Sequence, residues 1–416
     1  MKKSKKIALA SVMTMSMFLG ACGGNDDASG EDEDTISVWA MGEEGKQLKE
    51  LAEKFEEENE DGIKVEVQAI PWDSAHDKLL TAVASQDGPD VFQLGTTWVP
   101  EFAEAGAMLD LSEYTDDYPE FEPDNYFEGA RSTMEYDGQQ VGVPWYVESR
   151  VLYYREDLLE EVGYDEAPAT WDELKDASSQ LADRSEDDYG LDIDQNDQIT
   201  PFIFAWQNGY EVSEEEAENG EFNFDGEEFV GAIDYYHSFF DEGISQTSEG
   251  QDITKAFENG TKPMFFSGPW MINVLNDQAP DIEGEWATAV MPEQETGMSS
   301  IGGANLSIFH NSDKVDESLE FLSFINDTDT QLDWLEMSNT LPSRTEAWED
   351  PVLEEDPMYA TFGRQLENSQ PGPQIEEWDQ ITQELLDSIE RINVGGADVE
   401  EEMTNFNERA EQLLEE

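Results

Sequence analysis

Three histidines, His76, His237 and His310, stand far apart in the chain without the i, i+4 spacing of a helical metal pair, and the single cysteine, Cys22, is the only thiol available to join them. That set does not assemble a metal centre. Neither a Gly-x-Ser-x-Gly elbow nor a Gly-x-x-x-x-Gly-Lys phosphate loop occurs, so nucleophilic acyl transfer and nucleotide hydrolysis lose their usual carriers. Among 99 acids a carboxylate pair for glycoside hydrolysis is guaranteed by chance and therefore carries no information. The run Asp192-Ile193-Asp194-Gln195-Asn196-Asp197 opens like a calcium loop, but Asp197 occupies the sixth position, where glycine is needed, and Ile203 the twelfth, where a bidentate Glu is needed. A polar hairpin is the expectation. A more coherent chemistry comes from tryptophans beside Gly, Pro and polar residues at strand ends. Trp98 follows Thr96-Thr97, Trp145-Tyr146 precede Glu148 and Arg150, Trp270 follows Ser267-Gly268-Pro269, and Trp378 follows Pro371-Gly372-Pro373. Flat rings that stack on C–H faces, joined by carboxylates, amides and a guanidinium that satisfy hydroxyls, make the chemistry of a saccharide site.

Cys22 has its own reading. Lys2, Lys3, Lys5 and Lys6 precede an apolar stretch from Ile7 to Leu19, too short to span a bilayer, which ends in Leu19-Gly20-Ala21-Cys22. This is the pattern of a bacterial lipoprotein signal, and it predicts cleavage before Cys22 and a diacylglycerol on its sulfur. Residues 22–34, rich in Gly, Asp, Glu, Ser and Asn, then form a flexible acidic tether. The formal charge of −78 becomes about −82 once the four leader lysines are gone. Such a chain repels phosphate backbones, so nucleic-acid partners are excluded. Its acids are spread through every segment, as solvated faces are, which suits a protein kept soluble outside the cell in brine or at high pH.

The elements that must hold these residues alternate in type. Thr35 to Trp39 reads as a strand, Gln47 to Glu58 as a helix with Leu48, Leu51 and Phe55 inward, and Ile63 to Val67 as a second strand. That unit predicts a parallel sheet with right-handed crossovers. A helix over Asp77 to Gln86, a strand over Asp90 to Leu94 and extended segments over Gln140 to Val147 and Arg150 to Tyr154 follow. Trp171 to Leu181 is a helix with Thr170 as cap and Glu173 completing a capping box. Phe229 to Phe240 is helical, Gly260 to Phe266 and Leu306 to Phe309 are strands, and four helices span 315–326, 330–338, 381–392 and 399–414. With 38% apolar residues and about 390 residues after the leader, the fold class is α/β and the expectation is two lobes.

Several segments in order carry a resemblance: Val38-Trp39-Ala40-Met41-Gly42, Gly88-Pro89-Asp90-Val91, Val143-Pro144-Trp145-Tyr146-Val147-Glu148-Ser149-Arg150, Ala169-Thr170-Trp171-Asp172-Glu173-Leu174, Ala256-Phe257-Glu258-Asn259-Gly260, Ser267-Gly268-Pro269-Trp270, Gly302-Gly303-Ala304-Asn305-Leu306 and Leu341-Pro342-Ser343-Arg344. Through them the chain resembles the family 1 extracellular solute-binding proteins, the carbohydrate-binding lipoproteins of ABC importers that include maltose-binding protein. The resemblance implies a two-lobed periplasmic-binding-protein-like fold with a ligand cleft and a hinge of three chain crossings, near Tyr146 to Ser149, Ile301 to Asn305 and Leu341 to Thr345. It implies an N-terminal lobe of 35–146 plus 305–342 and a C-terminal lobe of 147–304 plus 343–416. By position it implies ligand contacts from Glu43, Glu44, Thr96, Thr97, Trp98, Trp145, Tyr146, Glu148, Arg150, Trp206, Trp270, Gly303, Asn305 and Trp378, with Gln207 beside Trp206. Glu44 stands where maltose-binding protein has a basic residue, and Thr97-Trp98 where it has an acid and a base, so the maltose contacts themselves are not kept.

The function so implied is a monomeric, non-catalytic, lipid-anchored protein without cofactor or metal. It would capture a neutral mono- or oligosaccharide and deliver it to the transmembrane subunits of an ABC permease. Two alternatives stand beside it: the same fold taking a charged solute such as a polyamine or glycerol phosphate, and a tethered glycoside-processing enzyme using Glu148 with Glu43 or Glu44.

Overall fold

The computed structural model describes residues 34–247 and 251–414; the leader, Cys22 and the tether up to residue 33 lie outside them. Strand β1 (Thr35–Met41) buries Ile36, Val38 and Ala40 on alternate positions. Helix α1 (Glu44–Glu58) follows and turns Leu48, Leu51 and Phe55 inward, the spacing of one apolar stripe. β2 (Lys64–Ile70), α2 (Trp72–Ser85) and β3 (Val91–Gly95) complete the unit, with β1 parallel to both β2 and β3. The expected all-parallel sheet then becomes mixed. Ser299–Ile308 runs antiparallel to β3 and to Val143–Ser149, and Leu341–Pro342 runs antiparallel to Val143–Ser149.

The three predicted crossings therefore lie side by side on neighbouring strands. Ile301 to Ala304 face Ser149 to Tyr146 residue by residue, while Leu341 and Pro342 face Val147 and Tyr146. At Gly303 the backbone has φ +125°, and a Cβ would strike the Tyr146 carbonyl, so glycine alone fits between the two strands.

Past Arg150 the chain enters a second, antiparallel sheet of Met264–Ser267, Val151–Arg155 and Trp286–Ala289. One face, with Leu152, Met264 and Phe266, packs on the helices Trp171–Ala182, Thr200–Gln207, Glu227–Asp241, Trp378–Asn393 and Val399–Leu413. The other face stacks Tyr153 on Phe265 at 4.9 Å and on Trp286 at 5.9 Å.

Local expectations fail in instructive places. Thr170 caps its helix, its hydroxyl accepting from the Glu173 N–H at 3.2 Å, but the Glu173 carboxylate accepts from the Ala169 N–H instead of closing a reciprocal box. Gly260 does not open a strand. It sits at φ +78° as the left-handed cap of the helix Ile253–Asn259, and the strand begins at Met264. The run from Asp192 is not a hairpin; it is a turn that leads into the helix Thr200–Gln207.

Candidate functional site

A cavity of about 610 Å³ opens between the two sheets, where the first loop after β3 faces the start of the helix Trp378–Asn393. Gly95, Thr96 and Thr97 form one wall; Glu148 from the crossing strand, Arg150 just past its end and Ser300 to Gly303 form the floor. Trp270, Trp378 and the turn containing Asp194, Asn196, Asp197 and Gln198 form the opposite wall.

Trp270 is built as a platform. It is 40% exposed, one of the few large apolar side chains on the surface of the described residues. Its indole lies directly over Gly268, where any Cβ would collide with the ring. The Gly268 carbonyl in turn accepts a hydrogen bond from the Tyr153 hydroxyl at 2.7 Å, which ties the platform to the small sheet. Arg150 approaches the same ring, with its guanidinium carbon 5.0 Å from the centroid. Trp378 is different in kind. Only 2% exposed, it packs 4.7 Å from Phe202 and against Gly372, and it meets the cavity from within the core.

Arg150 is the cation of the floor, and its charge is engaged. Its Nε donates to Asp197 Oδ2 at 2.8 Å, and its Nη1 lies 3.6 Å from Glu148 Oε1. Burial works against the charged guanidinium, yet the carboxylates of Asp197 and Glu148 outweigh it and hold its pKa above the ordinary arginine value. Behind Glu148 lie Glu44 and Tyr146. Burial pushes the Glu44 carboxyl upward, with the charges of Glu148 and Glu43 adding to the effect. Burial, then the charges of Glu44 and Glu148, raise the Tyr146 hydroxyl well above the ordinary tyrosine value. That hydroxyl accepts from Gln93 Nε2 at 3.2 Å and sits in the core.

Of the fourteen positions expected from sequence, the cavity brings together Thr96, Thr97, Glu148, Arg150, Trp270, Gly303 and Trp378. Glu44 is half-buried behind Glu148, while Glu43 is exposed and paired with Lys46. Trp98 packs edge-on against Trp72 at 5.4 Å and His76 at 5.1 Å, away from the cavity lining. Four positions are buried and do not line the cavity: Tyr146, in the core as described, and three more. Trp145 is fully buried and stacks on Trp334 at 4.7 Å, because its strand is covered on both faces. Trp206 is buried in the helix Thr200–Gln207 near Phe202, and Gln207 beside it joins Trp171 to the Met298 carbonyl. Asn305 is fully buried, its Nδ2 donating to the Thr133 carbonyl at 2.7 Å. Polar residues that sequence reasoning missed include Asp194, Asn196, Asp197 and Gln198 of one turn, Ser300, Gln374 and Thr382. The polar run from Asp192 is a signal for the first of these, visible in the sequence but tested there only as a metal loop.

Residues 39–332 match the bacterial extracellular solute-binding protein family. The chain belongs to that family. A solved structure of the sugar-binding protein MalE from Xanthomonas citri is similar at TM-score 0.86 and 32% identity, covering 92% of this chain and 97% of that one. The diacetylchitobiose binding protein DasA of Streptomyces coelicolor is 26% identical over 349 residues, 77% of each chain. The galactooligosaccharide-binding protein of Bacillus subtilis is 23% identical and covers 99% of this chain and 97% of its own. As a solute-binding protein of this family, the chain has the two-lobed architecture, and the cavity lies where the lobes meet. Among the described residues no helix is long and apolar enough to cross a membrane.

Proposed function

We propose that this protein captures a neutral mono- or oligosaccharide between its lobes and delivers it to the membrane subunits of an ABC importer, held outside the cell by lipid on Cys22. The observation that carries this reading is the exposed Trp270 platform, set over Gly268 and facing a cavity whose polar groups include threonines, serines, carboxylates and amides beside Arg150. Aromatic rings match the C–H faces of a sugar, and oxygens and amides match its hydroxyls. Relatives named for diacetylchitobiose, galactooligosaccharide and maltotriose binding support the class of ligand.

Arg150 argues against an anionic solute such as glycerol phosphate, since its guanidinium already faces Asp197 and Glu148. We also propose lobes of 35–146 plus 305–342 and 147–304 plus 343–416, closing by a hinge at the adjoining strands. Ligand contacts made by both lobes would exist only in the closed state and shift the population toward it. Acting as a monomer, it would bind without turnover.

The test is a thermal-shift and calorimetric screen in molar NaCl against sugars, polyamines, glycerol phosphate, peptides and divalent metals. A rise in melting temperature with stoichiometric, product-free binding for at least one saccharide is expected. Silence toward every carbohydrate beside a response to a peptide, polyamine or metal would overturn the reading, and accumulating hydrolysis products would replace it with the enzymatic one.

A further inference from the structure

Arg150 is a costly residue to place beneath a sugar site. Its side chain is largely buried, its carbonyl accepts from Ser299 Oγ at 2.7 Å, and its guanidinium touches three cavity groups that come from three separate segments. Asp197 belongs to the turn before Thr200–Gln207, Glu148 to the crossing strand, and Trp270 to the start of the helix Trp270–Gln278. The Asp197 carboxylate is gripped at both oxygens: Oδ2 accepts from Arg150 Nε at 2.8 Å, and Oδ1 accepts from the Ile199 N–H at 3.1 Å. A carboxylate has about four acceptor positions, so two stay open while the group itself cannot rotate away. Asp197 also lines the cavity.

We infer that Asp197 is a ligand-contacting, specificity-determining residue and that Arg150 is its positioning residue. Arg150 acts by locking the carboxylate in a plane that two adjacent hydroxyls of one sugar ring can meet together. The inference rests on the saccharide reading above. It makes the Asp194 to Gln198 turn part of the site and gives the site a preference for an unsubstituted vicinal diol at that end of the ligand. A lysine at 150 could not replace the arrangement, because a point charge lacks the planar fork that spans Asp197 and Glu148.

The test measures affinity and melting temperature in molar NaCl for the full mature chain and its Arg150→Met, Arg150→Lys, Asp197→Asn and Arg150→Met/Asp197→Asn variants. The probe is the tightest binder among maltotriose, diacetylchitobiose, galactobiose and arabinotriose. Each single variant should weaken binding at least tenfold, and the double variant should lose little more than the worse single one, since both remove the same oriented carboxylate. Arg150→Lys should fail to restore affinity. The Asp197→Asn variant keeps side-chain volume and supplies the measurement if Arg150→Met does not fold. Affinity within twofold of wild type in either folded single variant, or losses that multiply in the double variant, overturns the inference alone. Silence of the wild-type chain toward every saccharide of the screen above, beside a response to another ligand class, overturns the saccharide reading and this inference with it.

Discussion

At the scale of single residues, the two tryptophans of the cavity should behave differently because one stands on the surface and the other belongs to the core. Trp270→Ala should weaken sugar binding roughly 5- to 150-fold, about 1 to 3 kcal/mol, and leave the melting temperature nearly unchanged. Trp378→Ala should cost about 3 to 5 kcal/mol of folding stability, and Trp145→Ala a similar amount while leaving the cavity lining intact. Calorimetric titration beside chemical denaturation separates these outcomes. Sequence alone does not separate them. Val143 to Ser149 is covered on both faces, so alternation has nothing to report about where Trp145 points, and Asn305 on the neighbouring strand escapes correct placement for the same reason. Trp270 is legible through the Ser267-Gly268-Pro269 turn before it, a segment that cannot lie inside a helix. Glu44 gives a prediction in pH. Its folded pKa is raised above the unfolded value, so the fold binds this proton more tightly than the unfolded chain does, and the unfavourable contribution of its charge appears as pH rises through that window. Glu44→Gln should therefore raise the melting temperature at neutral pH and have little effect near pH 4. Equal shifts at both pH values would contradict this.

At the scale of elements, the amphipathic helices and the strands β1 and β2 are readable because each has one more exposed and one buried face, whereas β3 is buried along Val91 to Leu94. α1 is the clear case, with Leu48, Leu51 and Phe55 on a single stripe. The helix Thr200–Gln207 is not readable: all eight of its residues are buried, so no period marks it, and it passes for a loop or a strand. Its invisibility hides the turn before it, and with it Asp197. Thr170 is legible as a cap, and Thr170→Ala should cost about 1 kcal/mol in denaturant unfolding. The crossing strands hold a stricter requirement. Gly303→Ala forces a side chain into φ +125° and against the Tyr146 carbonyl, and a cost of about 1 to 3 kcal/mol is expected with reduced ligand affinity, since the same strand pair floors the cavity. A variant with unchanged stability and affinity would show that the two strands are free to separate there.

At the scale of the whole molecule, charge sets the conditions under which the fold and the cleft work. Acids from separate elements lie close to one another. Glu101 and Glu104 on the helix after the Thr96–Trp98 turn lie close enough to Glu376, ahead of the helix Trp378–Asn393, to raise its carboxyl pKa, after burial and Glu377. The proposed closing of the lobes would bring these charges closer and strengthen this repulsion, whose range falls from about 30 Å at 0.01 M salt to about 3 Å at 1 M. Melting temperature and sugar affinity should both rise with NaCl, and Glu376→Gln should flatten the salt dependence of affinity more than that of melting. The most direct measurement of sugar capture between the lobes is a ligand-bound crystal structure grown in molar salt with the best saccharide of the screen. The expected result is the sugar between the lobes, one ring stacked on Trp270, and hydroxyls on Asp197, Glu148 and the Thr96–Thr97 turn. A saccharide bound elsewhere, or the cavity filled by a peptide or metal in its place, would contradict it.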